Sequence, residues 1–148
     1  MQIVNTQNIN QARKQIQELK KQNKQVIVQA QSSEFNRKIF ENPDVDRIIN
    51  LEQHNRKDYM KQRDSGLNEV LCKLAKKNNI KIGININQIK NQSPKQKAIL
   101  LSRIIQNINL CKRTKTQIIT LGNHKKQDVM SFMQCLGSST EQAKEAVD

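Results

Sequence analysis

Aromatic residues are scarce in this sequence: they make up 3% of it, with a single tyrosine and no tryptophan. Domains that bind nucleic acids through an RNP1 motif stack bases on aromatic side chains, and no such motif occurs here. A GXXG loop and the spacing of a C2H2 zinc finger are also absent. The sequence therefore excludes these familiar modules, and it does not favour base stacking on aromatic side chains.

Residues suited to metal binding and catalysis are also few. The two histidines, His54 and His124, lie far apart and form no H-x-H or H-x-x-x-H pair, so a metal-dependent hydrolase would lack its ligand cluster. The four glycines are isolated, which excludes a glycine-rich phosphate loop. Asp64 and Asp128 are predicted to cap helices and not to act as bases. Nothing in the sequence by itself predicts catalytic chemistry.

The cysteines and the apolar segments give no indication of disulfides, a zinc site or a membrane span. The three cysteines are Cys72, Cys111 and Cys135, and an odd number without a C-x-x-C pair argues against a disulfide framework or a zinc ribbon. No apolar run approaches the length of a membrane span, and the N-terminus has no apolar signal region. We therefore expect a cytoplasmic protein with buried thiols and no membrane partner.

Carboxylates are missing from residues 70–127, a segment that we call the basic block. It contains 13 lysines and arginines, whereas the rest of the chain has 13 residues of each sign. The whole net charge of +13 therefore comes from this segment. A surface that needs only solubility mixes both signs, so the block favours a polyanion whose phosphates the cations would neutralise. A solvated basic face without a partner is the alternative.

Strand and helix patterns alternate along the chain. The predicted strands are 2–5, 25–30, 45–51, 80–86 and 117–121. Strands separated by helices predict one α/β domain over residues 1–148, with a parallel sheet of about five strands and the helices outside. A complete eight-stranded barrel needs roughly 200 residues or more. We therefore expect a TIM-barrel-like sheet that is truncated or incompletely closed.

Two helix starts are especially clear. Asp64 or Ser65 is predicted to cap a helix whose inward positions have helical spacing; these are Leu67, Val70, Leu71, Leu74 and Ala75. Ser93 followed by Pro94 predicts the start of a longer helix. Arg103 is expected on the outer face of that helix, and the polar segment 52–62 is expected to be a loop.

The segment 63–75, R-D-S-G-L-N-E-V-L-C-K-L-A, with the isoleucine strand 80–86 behind it, resembles protein component 3 of archaeal ribonuclease P. That family shares its ancestry with a eukaryotic nuclear subunit. The resemblance continues upstream through E-N-P and V-D-R-I-I, and downstream through N-L-C-K-R and the segment 136–144. Residues 58–61 look like a small insertion relative to the family pattern. Family members carry further strand–helix units before the position of Met1, and these are missing here. The resemblance therefore does not decide whether the barrel closes.

The resemblance implies a TIM-barrel-like, non-catalytic subunit of a ribonucleoprotein. The holoenzyme is an endonuclease, a hydrolase that removes 5′ leaders from precursor tRNA during tRNA processing. Its RNA subunit holds the catalytic centre and the Mg2+, so no cofactor is expected on this chain. Component 3 pairs with component 2, usually with two copies of each, beside the other ribonuclease P proteins and the ribonuclease P RNA; contact with precursor tRNA is indirect.

The resemblance and the basic block together nominate RNA contacts at Arg37, Arg63, Lys73, Lys112, Arg113, Lys126 and Lys144. Lys73 could instead pair with Glu69. Asp64, Ser65, Ser93 and Asp128 are expected to be structural caps. Two alternatives to the ribonuclease P subunit remain: a stand-alone RNA- or DNA-binding scaffold, and a degenerate metal-dependent barrel hydrolase.

Overall fold

Five short runs of mostly β-branched residues pair into one parallel sheet. The computed structural model describes residues 2–147, and within them the strands are β1 (Ile3–Val4), β2 (Ile27–Gln29), β3 (Arg47–Ile49), β4 (Lys81–Asn85) and β5 (Ile118–Leu121). The strands lie side by side in chain order, and each pair is parallel. Among the described residues β1 and β5 are the edge strands, so the sheet is open.

Helices connect the strands and cover the sheet. Over residues 2–147 they are α1 (Ile9–Lys21), α2 (Ser33–Phe40), α3 (Glu69–Lys77), α4 (Ile86–Lys90), α5 (Pro94–Thr114), α6 (Lys126–Cys135) and α7 (Thr140–Ala146). Sequential parallel strands with crossovers of one hand keep their connecting helices on one side of the sheet, as in a barrel. The predicted α/β fold, a parallel sheet of five strands that does not close, is confirmed.

Both faces of the sheet are buried, as parallel sheets require. The residue row from Val4 through Val28 and Ile48 joins the core that the helices cover. The opposite face carries Ile49, which is also buried, directly beside Gly83 on β4. A Cβ atom at Gly83 would lie 2.6 Å from Ile49 Cγ2, so the glycine makes room for that isoleucine.

The cap of α3 differs from the prediction. Asn68 caps the helix, and its side chain accepts a hydrogen bond from the Leu71 N–H at 2.9 Å. Asp64 and Ser65 are not caps, because the chain turns at Gly66 with φ +80° before any helical residue. The later start also rotates the buried face.

The rotation of α3 corrects its predicted core. Val70 was predicted to point inward, but it is 54% exposed. Cys72 is buried in its place, next to Leu71 and close to Ala75. A helix that begins at Glu69 therefore directs a different stripe inward than the spacing from Leu67 suggested.

Of the two other predicted caps, Ser93 is confirmed and Asp128 is not. Ser93 caps α5, since its Oγ accepts a hydrogen bond from the Gln96 N–H at 3.3 Å and Pro94 is the first helical residue. Asp128 was wrongly predicted to be a cap: the N-cap of α6 is Lys125, with no side-chain hydrogen bond. Asp128 lies inside the first turn, where a carboxylate still suits the helix dipole.

The predicted isoleucine strand also ends earlier than expected. Asn85 closes β4, and its side chain accepts a hydrogen bond from the Gln88 N–H at the start of α4. Ile86, which fits the strand alternation, is instead the first residue of that helix. No helix within residues 2–147 combines the length and apolar character needed to cross a membrane.

Candidate nucleic-acid interface

The connection from β3 to α3 is the longest in the fold and leaves the carboxyl end of the sheet. Residues 50–68 form this segment, which we call the β3–α3 loop. Open parallel sheets and barrels bind their ligands at this end, where the loops that follow the strands converge. The loop carries charge of both signs, so its shape depends on how those charges are paired.

One buried arginine holds the loop from the helix side. Arg103 on α5 is only 4% exposed, in contrast to its predicted place on the outer face. Its NH1 group donates to the carbonyl oxygens of Glu52 at 2.9 Å and His54 at 3.1 Å. Its NH2 group donates to the Arg56 carbonyl at 3.3 Å. A guanidinium has the planar set of donors needed to bind three carbonyls at once.

A second set of contacts closes the loop on itself. Asp58 accepts a hydrogen bond from the Asp64 N–H at 2.8 Å and lies 3.4 Å from the Arg63 guanidinium. The Arg56 Nε donates to Asp64 Oδ2 at 3.0 Å, and the Gly66 N–H donates to the other Asp64 oxygen at 3.1 Å. Asp64 is thus the hub of a tight turn.

Burial and hydrogen bonds set the ionisation of two residues in the loop. Burial, followed by the charges of Arg56 and Arg103, lowers the pKa of His54 and outweighs its contact with the Asp64 carbonyl. Burial alone would raise the pKa of Asp64. Hydrogen bonds from Arg56 and the Gly66 N–H outweigh it and hold that pKa below its usual value. The Asp64 carboxylate and neutral His54 are therefore the favoured forms near pH 7.

Three arginines meet in a polar cleft of about 340 Å³ between α2 and the β3–α3 loop. We call it the arginine cleft, lined by Arg37 from α2 and by Arg56 and Arg63 from the loop. Its wall also includes Asn36, Tyr59, Gln62, Asn68 and Gln106. Two of the predicted RNA contacts, Arg37 and Arg63, thus lie in one cleft.

The guanidinium groups of the cleft keep donors for a ligand. Arg37 binds Glu41 through Nε at 2.8 Å, and Arg56 binds Asp64 through Nε. Among residues 2–147, the terminal NH2 groups of these two arginines donate no hydrogen bond to the protein. Paired terminal NH2 groups suit a phosphate, which accepts two parallel hydrogen bonds.

The remaining predicted contacts lie outside the cleft. Lys73 pairs with Glu69 at 3.4 Å, as the sequence allowed. Lys112 donates to the Gly137 carbonyl oxygen and so holds the end of α6. Three predicted contacts, Arg113, Lys126 and Lys144, are exposed on α5, α6 and α7.

Sequence reasoning missed Arg56 and Arg103 as parts of the site. The signal for Arg56 was present: a run of charged residues directly after a predicted strand of a parallel sheet marks the ligand-binding end. Arg103 gave no local signal, since its partners lie 47–51 residues away along the chain.

Other features at this edge are less polar. An apolar groove of about 210 Å³ lies between α4 and α6 and is lined by Ile86, Ile89, Val129 and Phe132. Beside it His124 Nε2 contacts Asn87 Oδ1 at 2.9 Å. In the part of the chain that the structure describes, no three His, Cys, Asp or Glu side chains cluster in a way that could hold a metal ion.

Comparisons with known proteins give a match in structure and none in sequence. No protein-family model matches the chain, and no curated protein matches it. Among solved structures, a chain in the cryo-electron microscopy structure of an archaeal ribonuclease P with mature tRNA has the same fold, with a TM-score of 0.79 and 20% identity. The alignment covers 97% of this chain and 62% of that chain. This chain therefore spans less than two thirds of the neighbour's length.

Proposed function

We propose that this chain is a protein subunit of ribonuclease P, equivalent to component 3, which supports the catalytic RNA and performs no chemistry itself. The fold match carries the proposal: nearly the whole chain superposes on a chain from an archaeal ribonuclease P bound to mature tRNA. The likeness of residues 63–75 to the component 3 pattern is independent support, because it lies in the loop and helix that build the arginine cleft.

In this role the cations of the chain neutralise RNA phosphates. The arginine cleft contributes Arg37 and Arg63, and exposed Arg113, Lys126 and Lys144 extend the contact around the sheet. Lys73 and Lys112 would bind phosphate from their positions next to Glu69 and Gly137. Each neutralised phosphate releases condensed counterions, which gives affinity without a fixed sequence preference.

The partners follow from the same proposal. The Mg2+ and the catalytic centre belong to the ribonuclease P RNA, and this chain binds no cofactor. Component 2 pairs with it, two copies of each, in a cytoplasmic particle that matures precursor tRNA. The open edges at β1 and β5 are favourable places for a partner, because unpaired strand edges are normally covered.

Reconstitution tests this proposal. Precursor-tRNA cleavage is measured with the RNA subunit and component 2, with and without this chain, over a range of Mg2+ concentrations. Adding the chain should raise the rate and lower the Mg2+ requirement. A variant with Arg37 and Arg63 both changed to glutamine should lose most of this effect, whereas exposed Lys14→Gln outside the basic block should keep it. If omission of the chain leaves the rate and the Mg2+ requirement unchanged, the proposal fails.

The basic block alone would also suit a stand-alone RNA- or DNA-binding scaffold. Binding of RNA without any effect on cleavage would favour that second function. Metal-dependent hydrolysis by the purified chain alone would instead favour the barrel hydrolase.

A further inference from the structure

The tip of the β3–α3 loop exposes two large side chains that folded proteins usually bury. Tyr59 is 67% exposed and Met60 is 99% exposed. The tip is nevertheless a defined turn: Tyr59 and Gln62 form an antiparallel bridge, with the Gln62 N–H donating to the Tyr59 carbonyl at 3.3 Å. Asp58 fixes the base of the turn through the Asp64 N–H. An ordered turn that holds an aromatic ring in solvent suggests a binding role.

The ring does not stand alone. Tyr59 lines the arginine cleft together with Arg37, Arg56 and Arg63. The terminal NH2 groups of Arg37 and Arg56 donate no hydrogen bond to protein among the described residues. The cleft therefore combines one flat apolar surface with several donors for an anion.

This combination matches one nucleotide of an unpaired RNA strand. Such a nucleotide presents a base whose faces are free to stack and an adjoining phosphate that accepts paired hydrogen bonds. A base inside a duplex cannot reach the ring, because both of its faces are already stacked on neighbouring bases. A protein partner is less well matched, since Tyr59 and Met60 lie between Lys57 and Lys61 and form no broad apolar patch.

We propose that Tyr59 stacks on an unpaired base while the arginine cleft binds the adjoining phosphate, so that the site selects single-stranded segments of the RNA partner. The inference rests on the proposed function, which supplies an RNA partner, and adds which part of that RNA the cleft accepts. It departs from the expectation from composition, which does not favour base stacking, because Tyr59 is exposed beside the arginine cleft. Residues 58–61 look like an insertion relative to the family pattern, so the family resemblance does not imply this contact.

The composition makes the contact directly measurable. Tyr59 is the only tyrosine and there is no tryptophan, so tyrosine emission comes from this residue alone. We expect a short single-stranded oligoadenylate to quench that emission as it binds, and a blunt-ended RNA duplex to bind without quenching it. Anisotropy of labelled RNA gives the affinities in parallel.

Two variants separate stacking from the hydroxyl group and from charge. Tyr59→Ala should weaken oligoadenylate binding about tenfold, in the range measured for loss of one stacked base, whereas Tyr59→Phe should bind as the wild type does. Both variants should keep duplex affinity and the melting temperature, because the ring is exposed. Arg37→Gln should weaken the binding of both the oligoadenylate and the duplex, since it removes a phosphate contact.

The outcomes distinguish this inference from the proposed function. Unchanged oligoadenylate affinity in Tyr59→Ala, with unquenched Tyr59 emission in the wild type, would overturn the stacking inference alone if Arg37→Gln still weakens binding. Assembly with component 2 that depends on Tyr59, with RNA affinity unaffected, would identify the tip as a protein contact and overturn it too. A wild-type chain that binds neither RNA would instead sink the proposed function.

Discussion

Glu52 is a carboxyl group in an environment that favours its neutral form. It lies at the start of the β3–α3 loop, is almost fully buried, and its Oε1 atom has no hydrogen-bond partner among the described residues. Burial raises its pKa to about 7, although its own N–H, Gln53 and the positive charge of Arg103 oppose the rise. The loop therefore contains a group that changes charge near neutral pH.

We predict that Glu52→Gln gains stability relative to the wild type as pH rises. Between the ordinary pKa of 4.5 and the folded value of about 7, the folded state binds more protons than the unfolded chain. Wild-type stability therefore falls as pH rises through this window, and the amide removes that loss. Melting temperatures of both proteins from about pH 5 to pH 8 test this. Exposed Glu18→Gln is the control, and parallel curves for Glu52→Gln and the wild type would contradict the prediction.

Gly66 is required by both its backbone angle and its surroundings. Its φ is +80°, and a Cβ atom there would lie 2.1 Å from the Leu51 carbonyl oxygen. We expect Gly66→Ala to destabilise the protein by about 3 kcal/mol or more, since a backbone clash adds to the strain. Gly137 is the control, because its φ is +100° but a Cβ atom there would lie 3.8 Å from Asn109 Oδ1, an ordinary contact distance. Gly137→Ala should lose only about 1–2 kcal/mol; equal losses in urea unfolding would refute the role of the clash.

At the scale of elements, the β3–α3 loop is held in place by contacts from α5. Arg103 joins the two by donating to three loop carbonyls, and its NH2 group lies 3.6 Å from Asp58. Asp58 in turn pairs with Arg63 in the arginine cleft. One buried side chain on a helix thus determines where the loop places its arginines.

Removing that side chain should loosen the loop and weaken RNA binding together. We predict that Arg103→Met lowers the free energy of unfolding by about 3 kcal/mol, because it leaves the partly buried His54 and Arg56 carbonyls without their donor and removes one of two donors from the Glu52 carbonyl. Arg103→Lys should lower the free energy of unfolding by nearly as much, since one ammonium group cannot donate to three carbonyls in a plane. Hydrogen exchange at the Asp64 and Gly66 amides should accelerate in both variants.

Exposed Lys95→Met on the same helix is the matched control for charge and length. It should leave exchange in the β3–α3 loop unchanged. Slow exchange at Asp64 and Gly66 in Arg103→Met would mean that the loop keeps its shape without the arginine.

The sequence carried the local part of this architecture and missed the part that depends on distant contacts. The five parallel strands and the Ser93 cap follow from periodicity and neighbouring residues. The α3 cap was misplaced because Asp64, Ser65 and Asn68 are all good capping residues, and only the turn at Gly66 decides among them. Arg103 was misplaced because an arginine on a helix is normally exposed, and its loop partners are not visible in local spacing.

The same holds for the candidate site. Arg37 and Arg63 were each nominated through the family resemblance, but 26 residues separate them and no periodicity relates them. Their place in one cleft follows from the packing of α2 beside the β3–α3 loop. The exposure of Tyr59 could not be predicted either, because composition counts aromatic rings and does not say which are exposed.

At the scale of the whole molecule, the basic block places charge at both ends of the sheet. In an α/β fold the helices run opposite to the strands, so the carboxyl ends of the helices lie at the amino ends of the strands. The last turns of α3 and α5 contribute Lys76, Lys77, Lys112 and Arg113 there. Lys90 is the last residue of α4 and Lys126 is the first residue of α6, and both lie at the carboxyl end of the sheet. An RNA that follows this charge would contact more than one edge of the protein.

RNA affinity should therefore fall steeply as the salt concentration rises. The steepness of the fall measures how many phosphates the protein neutralises. For single strands the slope of log K against log salt is about −0.7 per neutralised phosphate. We predict that the double change Arg113→Gln with Lys126→Gln, at opposite ends of the sheet, makes the slope shallower by about 1.4 if each side chain binds one phosphate. Lys14→Gln on α1, outside the basic block, should leave the slope unchanged. An affinity that stays flat as salt rises would argue against a phosphate-binding surface, whereas a change of half that size would confine the contact to one end.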